Sequence, residues 1–96
     1  MKNLEIRIAT WYDKLYGNYY FASQVFIDGE RVLSLPFQYG NSEFGIAETF
    51  ETLVNTEIVK TEHKWLHLYA RDTPEVNIST TCIPMLKRQV KEFGLN

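Results

Sequence analysis

The dipeptide Asp28-Gly29 stands between two runs rich in aromatic and β-branched residues, "YYFASQVFI" and "ERVLSLPF". A two-residue connection of type I′ needs positive φ at both central positions, which Gly accepts freely and Asp accepts better than most side chains. The pattern predicts a β-hairpin over residues 19–37 that turns at Asp28-Gly29. This pairing limits everything else in the chain. Its 96 residues suit one domain, 1–96, built around the hairpin. Pro36 has no N–H to give a ladder, so it should lie at a strand end or on a sheet edge.

Before the hairpin, Leu4, Ile6 and Ile8 alternate with Glu5, Arg7 and Ala9, the period of a strand with one buried face. "YDKLYGN" then turns the chain, with Gly17-Asn18 as punctuation. After the hairpin, "PFQYG" makes a corner, and Asn41 or Ser42 supplies the N-cap of a helix running from about Glu43 to Asn55. At 100° per residue Ile46, Ala47, Phe50, Leu53 and Val54 form its core stripe, while Glu48, Glu51 and Asn55 share another face. Phe44 falls between Glu48 and Glu51, off the apolar stripe. It is either a staple against the preceding loop, at Phe37 or Tyr39, or an aromatic anchor in an acidic surface.

The segment "EIVKTEHKWLHLYARD" reads as a strand, with Trp65, His67, Tyr69 and Arg71 on one face and Leu66, Leu68 and Ala70 on the other. Asp72-Thr73-Pro74 makes a turn, and "EVNISTTCI" is the last strand. "PMLKRQVKEFG" closes the chain as a helix, with Pro84 in its first turn, Leu86, Val90 and Phe93 inward, and Gly94 at C′. The expected fold is α+β: a two-layer antiparallel sheet with two helices, in the order β-β-β-α-β-β-α.

Hydrophobic residues make up 45% of the chain, enough for a core without metals or disulfides. A single cysteine, Cys82, forms no internal disulfide and suits a reducing cytoplasm. The alternating start and the lack of any apolar run near ~20 residues point to a soluble intracellular protein with no membrane partner. No phosphate loop, G-x-S-x-G or H-E-x-x-H is present. His63 and His67, placed on a strand, lie ~13 Å apart, too far to share a metal. Cys82 has no motif around it and reads as a small buried apolar side chain. The residues thus give no catalytic group, no metal site and no cofactor, and an enzyme is not expected.

Charge is the remaining signal. Residues 28–57 carry Asp28, Glu30, Glu43, Glu48, Glu51 and Glu57 against Arg31 alone, a net of −5 in a chain whose total is −2. An acidic field of this kind disfavours direct DNA binding and favours a basic partner. Six aromatics crowd the segment from Trp11 to Phe21, yet Lys14 is its only base, so a base-stacking groove lacks its second requirement. They fit a core first and a protein interface, at Trp11, Tyr12 and Tyr16, second.

The segment "YYFASQVFIDGERVLSLPFQYGNSEFG" and the ending "VNISTTCIPMLKRQV" resemble small phage and prophage proteins. These share a Tyr-rich strand, an Asp-Gly or Asn-Gly hairpin and a Pro-Phe-x-Tyr-Gly corner before a helix. Related sequences often continue Tyr-Gly-Tyr-Gly-Asp, where this chain has Tyr39-Gly40-Asn41-Ser42-Glu43. Phage proteins of about this size, acidic and lacking catalytic residues, include the anti-CRISPR inhibitors, some of which block type I-F surveillance complexes by imitating DNA. The resemblance implies an inhibitor in the host bacterial cytoplasm; the sequence leaves its oligomeric state open, with a monomer favoured. It would bind a host CRISPR surveillance complex, Cas proteins with guide RNA, and exclude target DNA. Its partner-binding residues would be Asp28, Glu30, Glu43, Phe44, Glu48 and Glu51. The alternative is a phage structural or assembly module that binds through the hairpin and the aromatics.

Overall fold

The computed structural model describes residues 1–95. Its elements are β1 (Asn3–Asp13), β2 (Asn18–Ile27), β3 (Glu30–Tyr39), α1 (Ser42–Asn55), α2 (Leu66–Asp72), β4 (Asn77–Pro84) and α3 (Lys87–Leu95). The class is α+β, as the sequence implies. The sheet is mixed, not antiparallel, in the order β3-β2-β1-β4 with β4 parallel to β1. Three helices replace the expected two, and the order is β-β-β-α-α-β-α.

The hairpin forms where Asp28-Gly29 puts it. Asp28 has φ 50° and Gly29 φ 84°, both positive, and Ile27 pairs with Glu30 across the turn. The Asp28 carboxylate accepts the backbone N–H groups of Lys2 and Asn3, each at 2.8 Å, so the turn also holds the start of β1. These bonds keep its pKa below the ordinary 3.8. Pro36 lies on β3, an edge strand, where a missing N–H does no harm.

Cross-strand pairing assigns the two faces. Leu4, Ile6 and Ile8 stand opposite Ile27, Val25 and Ser23, and this face carries the main core with Phe21, Phe50, Leu53, Val59 and Tyr69. The helix α1 lies on it through Gly45, Thr49, Phe50 and Leu53. The expected stripe of Ile46, Ala47 and Val54 is only half-buried, because the contact line is centred on Thr49. Thr49 Oγ1 is 2.6 Å from the Gly45 carbonyl and 2.8 Å from Ser23 Oγ, so one helix hydroxyl ties α1 to β2 inside the core. Both polar groups are satisfied, as burial requires.

The opposite face carries Ala9, Ala22 and Val90, with Trp11, Phe37, Met85 and Phe93 around them. Here α3 covers the sheet, so helices sit on both faces and the expected two-layer arrangement is incorrect. The physical reason is the aromatic set at this end. Tyr20 stacks on Phe37 at 5.1 Å and meets Trp11 at 5.7 Å, an apolar surface that one layer of helices would leave wet. Gly94 lies inside α3 and not at C′. A Cβ there would sit 2.9 Å from backbone atoms of Leu35, Pro36 and Phe37, so the helix reaches β3 only because Gly94 has no side chain. Leu86, expected inward, is exposed.

The largest correction concerns Glu57–Asp72, read as a strand. Residues 57–65 are irregular and 66–72 form α2. Leu66 and Tyr69 stand three apart and both pack on the core, a helical spacing hidden within the alternating pattern. The change fits the topology. Because β3 and β4 run in the same direction, the chain must cross over the sheet between them, and helices do this. Pro84 ends β4 and does not open the last helix. Among the described residues no helix is long and apolar enough to cross a membrane.

Gly94→Ala should lower stability by about 1–3 kcal/mol through overpacking against an unyielding backbone, read from the urea midpoint. An unchanged midpoint would mean that α3 does not approach β3 this closely. Asp28 gives a pH signature. A carboxylate with a depressed folded pKa stabilises above its ordinary value and loses that contribution as pH falls through the folded value. Asp28→Asn keeps the turn preference and should be less stable than the parent at neutral pH. The difference should close below 3.8. A constant difference down to about pH 2 would contradict the charge-assisted contact.

Candidate functional site

The site residues are set by how α1 begins. Asn41 is the N-cap, its side chain accepting the Phe44 N–H at 2.8 Å, and Glu43 occupies the first turn beside the positive end of the helix dipole. This cap fixes the rotation of the helix. Phe44 therefore points off the core, 49% exposed, with its ring edge against Phe21 at 6.1 Å. Its neighbour is not Phe37, which lies on the opposite face of the sheet. Tyr39 shares with it a smaller hollow of about 300 Å³ beside Tyr19 and Gly40.

After the C-cap at Thr56 the chain doubles back. Glu57 takes φ 60°, Val59 N–H donates to the Leu53 carbonyl, and the Val59 side chain is buried. The following segment then runs beside α1, leaving a groove of about 610 Å³ between them. From α1 come Phe44, Glu48 and Glu51; from the returning segment come Glu62, His63, Lys64 and Trp65. Trp65 is 54% exposed. Three carboxylates thus face one ammonium between two half-exposed aromatic rings.

The wall of the groove is fixed from behind. His63 Nε2 is 2.6 Å from Asp72 Oδ2, and its backbone N–H donates to Thr61 Oγ1. Asp72 also accepts from Arg71, which with His63 holds its pKa below the ordinary value, Arg71 first. Tyr69 anchors α2 in the core against Phe50, and burial raises its pKa. The loop is therefore hung on α2.

The sequence-derived residues divide into two places. Phe44, Glu48 and Glu51 line the groove, and Glu43 sits at the same end of α1, near Thr10, Cys82 and Pro84. Asp28 and Glu30 lie at the hairpin tip, beside Asn3. From Asn3 to Thr10 along β1 is ~23 Å, so Glu43 and the hairpin-tip pair lie toward opposite ends of the strand, and neither Asp28 nor Glu30 lines the groove. The Asp28 carboxylate is already engaged by backbone. Glu62 and Trp65 escape the sequence reading because the alternating pattern of this segment hides the reversal that brings them beside α1.

The groove has the components of a surface for a cationic partner: carboxylates to attract it and rings to receive apolar stems or stack with guanidinium groups. Its lining holds no Ser, Thr or Cys to serve as a nucleophile for the His63–Asp72 pair. Among the described residues no group of three His, Cys, Asp or Glu side chains is placed to hold a metal. Cys82, expected buried, is exposed on β4. His67 lies with Glu43, Trp65 and Thr80 around a separate hollow. Protein families, curated proteins and solved structures yield no match to this chain.

Asp72→Ala removes the support for His63 and should raise amide hydrogen exchange in residues 61–65, while protection in α1 stays as in the parent. Unchanged exchange in that segment would show that the groove wall stands without the His63–Asp72 contact.

Proposed function

We propose that the protein is a non-catalytic inhibitor that occupies a basic nucleic-acid-binding surface on a guide-RNA surveillance complex and so excludes target DNA. The observation that carries this reading is the convergence of Glu48, Glu51 and Glu62 on one groove flanked by Phe44 and Trp65. A channel built for a phosphate backbone is lined with Lys and Arg. Carboxylates presented to it repel DNA and attract the channel, and the rings add contact area that phosphates lack. The resemblance to anti-CRISPR proteins supports the choice of a CRISPR complex, type I-F first, over other basic host machines. In this reading the contact surface is α1 with the segment 62–65, and Asp28 and Glu30 do not line it.

A second reading keeps one specific observation in its favour. Around the β1–β2 turn Leu15 and Tyr16 are 80% and 74% exposed, with Tyr12, Tyr19 and Tyr39 also exposed nearby. Such a tyrosine-rich end suits an assembly module that binds through apolar contact.

The test mixes purified type I-F complex, labelled target duplex and increasing protein, and reads bound DNA. Inhibition should approach completion near stoichiometric protein, vanish when DNA is bound first, and weaken with added salt as exposed charges are screened. The double variant Glu48→Lys, Glu51→Lys should fold with stability changed by under ~0.5 kcal/mol per site. It should inhibit at least ~10-fold less well, since attraction becomes repulsion. Full activity of that variant, with loss of activity in Leu15→Ser, Tyr16→Ser, would transfer the function to the tyrosine end. DNA capture unaffected by any amount of parent protein would reject this target.

A further inference from the structure

The two edges of the sheet are built differently. The outer strand β3 carries Glu30 and Arg31, an exposed Pro36, and irregular register against β2 between Phe21 and Ser23 and between Val25 and Phe26. Its backbone is also met by α3 at Gly94. Charges, proline, bulges and a covering helix are the devices by which edges avoid pairing with other chains. The other outer strand, β4, has none of these along Asn77–Ile83. It is free of charged residues, pairs with β1 in unbroken register, and is exposed at every residue from Ser79 to Pro84.

The direction of its hydrogen-bonding groups follows from two contacts. Asn77 N–H donates to the Lys2 carbonyl and Met85 N–H to the Thr10 carbonyl, so odd-numbered residues of this segment face β1. Even-numbered residues then turn N–H and C=O outward: Ile78, Thr80 and Cys82, with Pro84 supplying no donor. The outward ladder therefore ends at Pro84 and is centred on Thr80. About that centre the sequence is close to palindromic in chemistry, with hydroxyls at Ser79 and Thr81 and small or apolar groups at Ile78 and Cys82.

We propose that β4 pairs antiparallel with β4 of a second copy about a two-fold axis at Thr80, joining two four-stranded sheets into one. Thr80 then faces Thr80 of the other copy, and Ile78 faces Cys82. Each of these hydrogen-bonded pairs exchanges two N–H···O=C bonds, which uses every outward donor of the segment. Ser79 stands opposite Thr81, and no like charges meet anywhere along the strand. A closed two-fold pairing leaves no β4 edge free for further addition, unlike head-to-tail growth. Dimerisation replaces the favoured monomer, and it does not depend on what the groove binds.

Sedimentation velocity over a concentration series should show a mass of two chains. Thr80→Pro removes an outward N–H without touching the bonds to β1, and should weaken self-association on the order of a hundredfold through two lost bonds and two orphaned carbonyls. Thr80→Val keeps the N–H and should remain dimeric, which separates the edge from any effect on folding. Cross-linking fixes the register. Thr80→Cys combined with Cys82→Ser brings two thiols together across the axis at a Cα separation of ~5.5 Å and should form an intermolecular disulfide on mild oxidation. The parent, whose two Cys82 residues lie ~13 Å or more apart in this register, should not. A parent that stays monomeric throughout the series, a dimer that survives Thr80→Pro, or cross-linking through Cys82 but not through position 80 would each overturn the proposal.

Discussion

The strand β1 is the constraint on which the molecule depends. It is paired on both edges, by β2 and β4, and covered on both faces, by α1 and α3. Leu4, Ile6, Ile8 and Ala9 are accordingly fully buried. A strand enclosed in this way cannot slip by one residue, because Glu5 and Arg7 would be driven into the core face and Leu4, Ile6 and Ile8 out of it. The Asp28 carboxylate adds a local lock by holding Lys2 and Asn3 at the point where the register begins. Every other element is placed relative to this register.

The groove is a consequence of that enclosure. To reach the free edge of β1 in a parallel sense, the chain leaving β3 must travel across the core face. α1 supplies the first part of the crossing and buries Phe50 and Leu53, so Glu51 on its opposite side is exposed and Glu48 at its flank is half-buried. The return segment must then pass α1 again before α2 docks through Tyr69. Two chain segments side by side, joined by a reversal at Glu57, leave a furrow between them. The acidic and aromatic residues gather in it because they lie on the sides that the crossing does not bury.

How much of this was legible depends on how local each determinant is. The hairpin was readable because two adjacent residues decide it, and α1 because its cap and apolar period lie within fourteen residues. The parallel pairing of β1 with β4 was not, since its partners Leu4 and Ile78 are separated by most of the chain and nothing in either strand marks direction. The segment at Leu66–Tyr69 misled for another reason: its apolar residues satisfy both a period of two and a helical i, i+3 contact. The acidic set shows the same limit. Asp28 and Glu43 are neighbours in a charge count but lie at opposite ends of β3, whereas Glu48 and Glu62 come together only through the reversal at Glu57.

Magnitudes decide how such a groove would hold a basic partner. An exposed ion pair contributes roughly 0–1 kcal/mol and fades with salt, so Glu48, Glu51 and Glu62 together provide attraction and orientation more than affinity. Phe44 and Trp65 carry the larger reserve, because burying the exposed half of each ring contributes roughly half of the ~1.5–3 kcal/mol for a full side chain, and a desolvated cation–π contact ~2 kcal/mol more. Both rings are already half-buried, which limits the conformational freedom they must lose on binding. The charges would therefore determine which surfaces are approached and how quickly. The two rings, held in place by the Asn41 cap and by the attachment of the loop to α2, would determine how long the contact lasts.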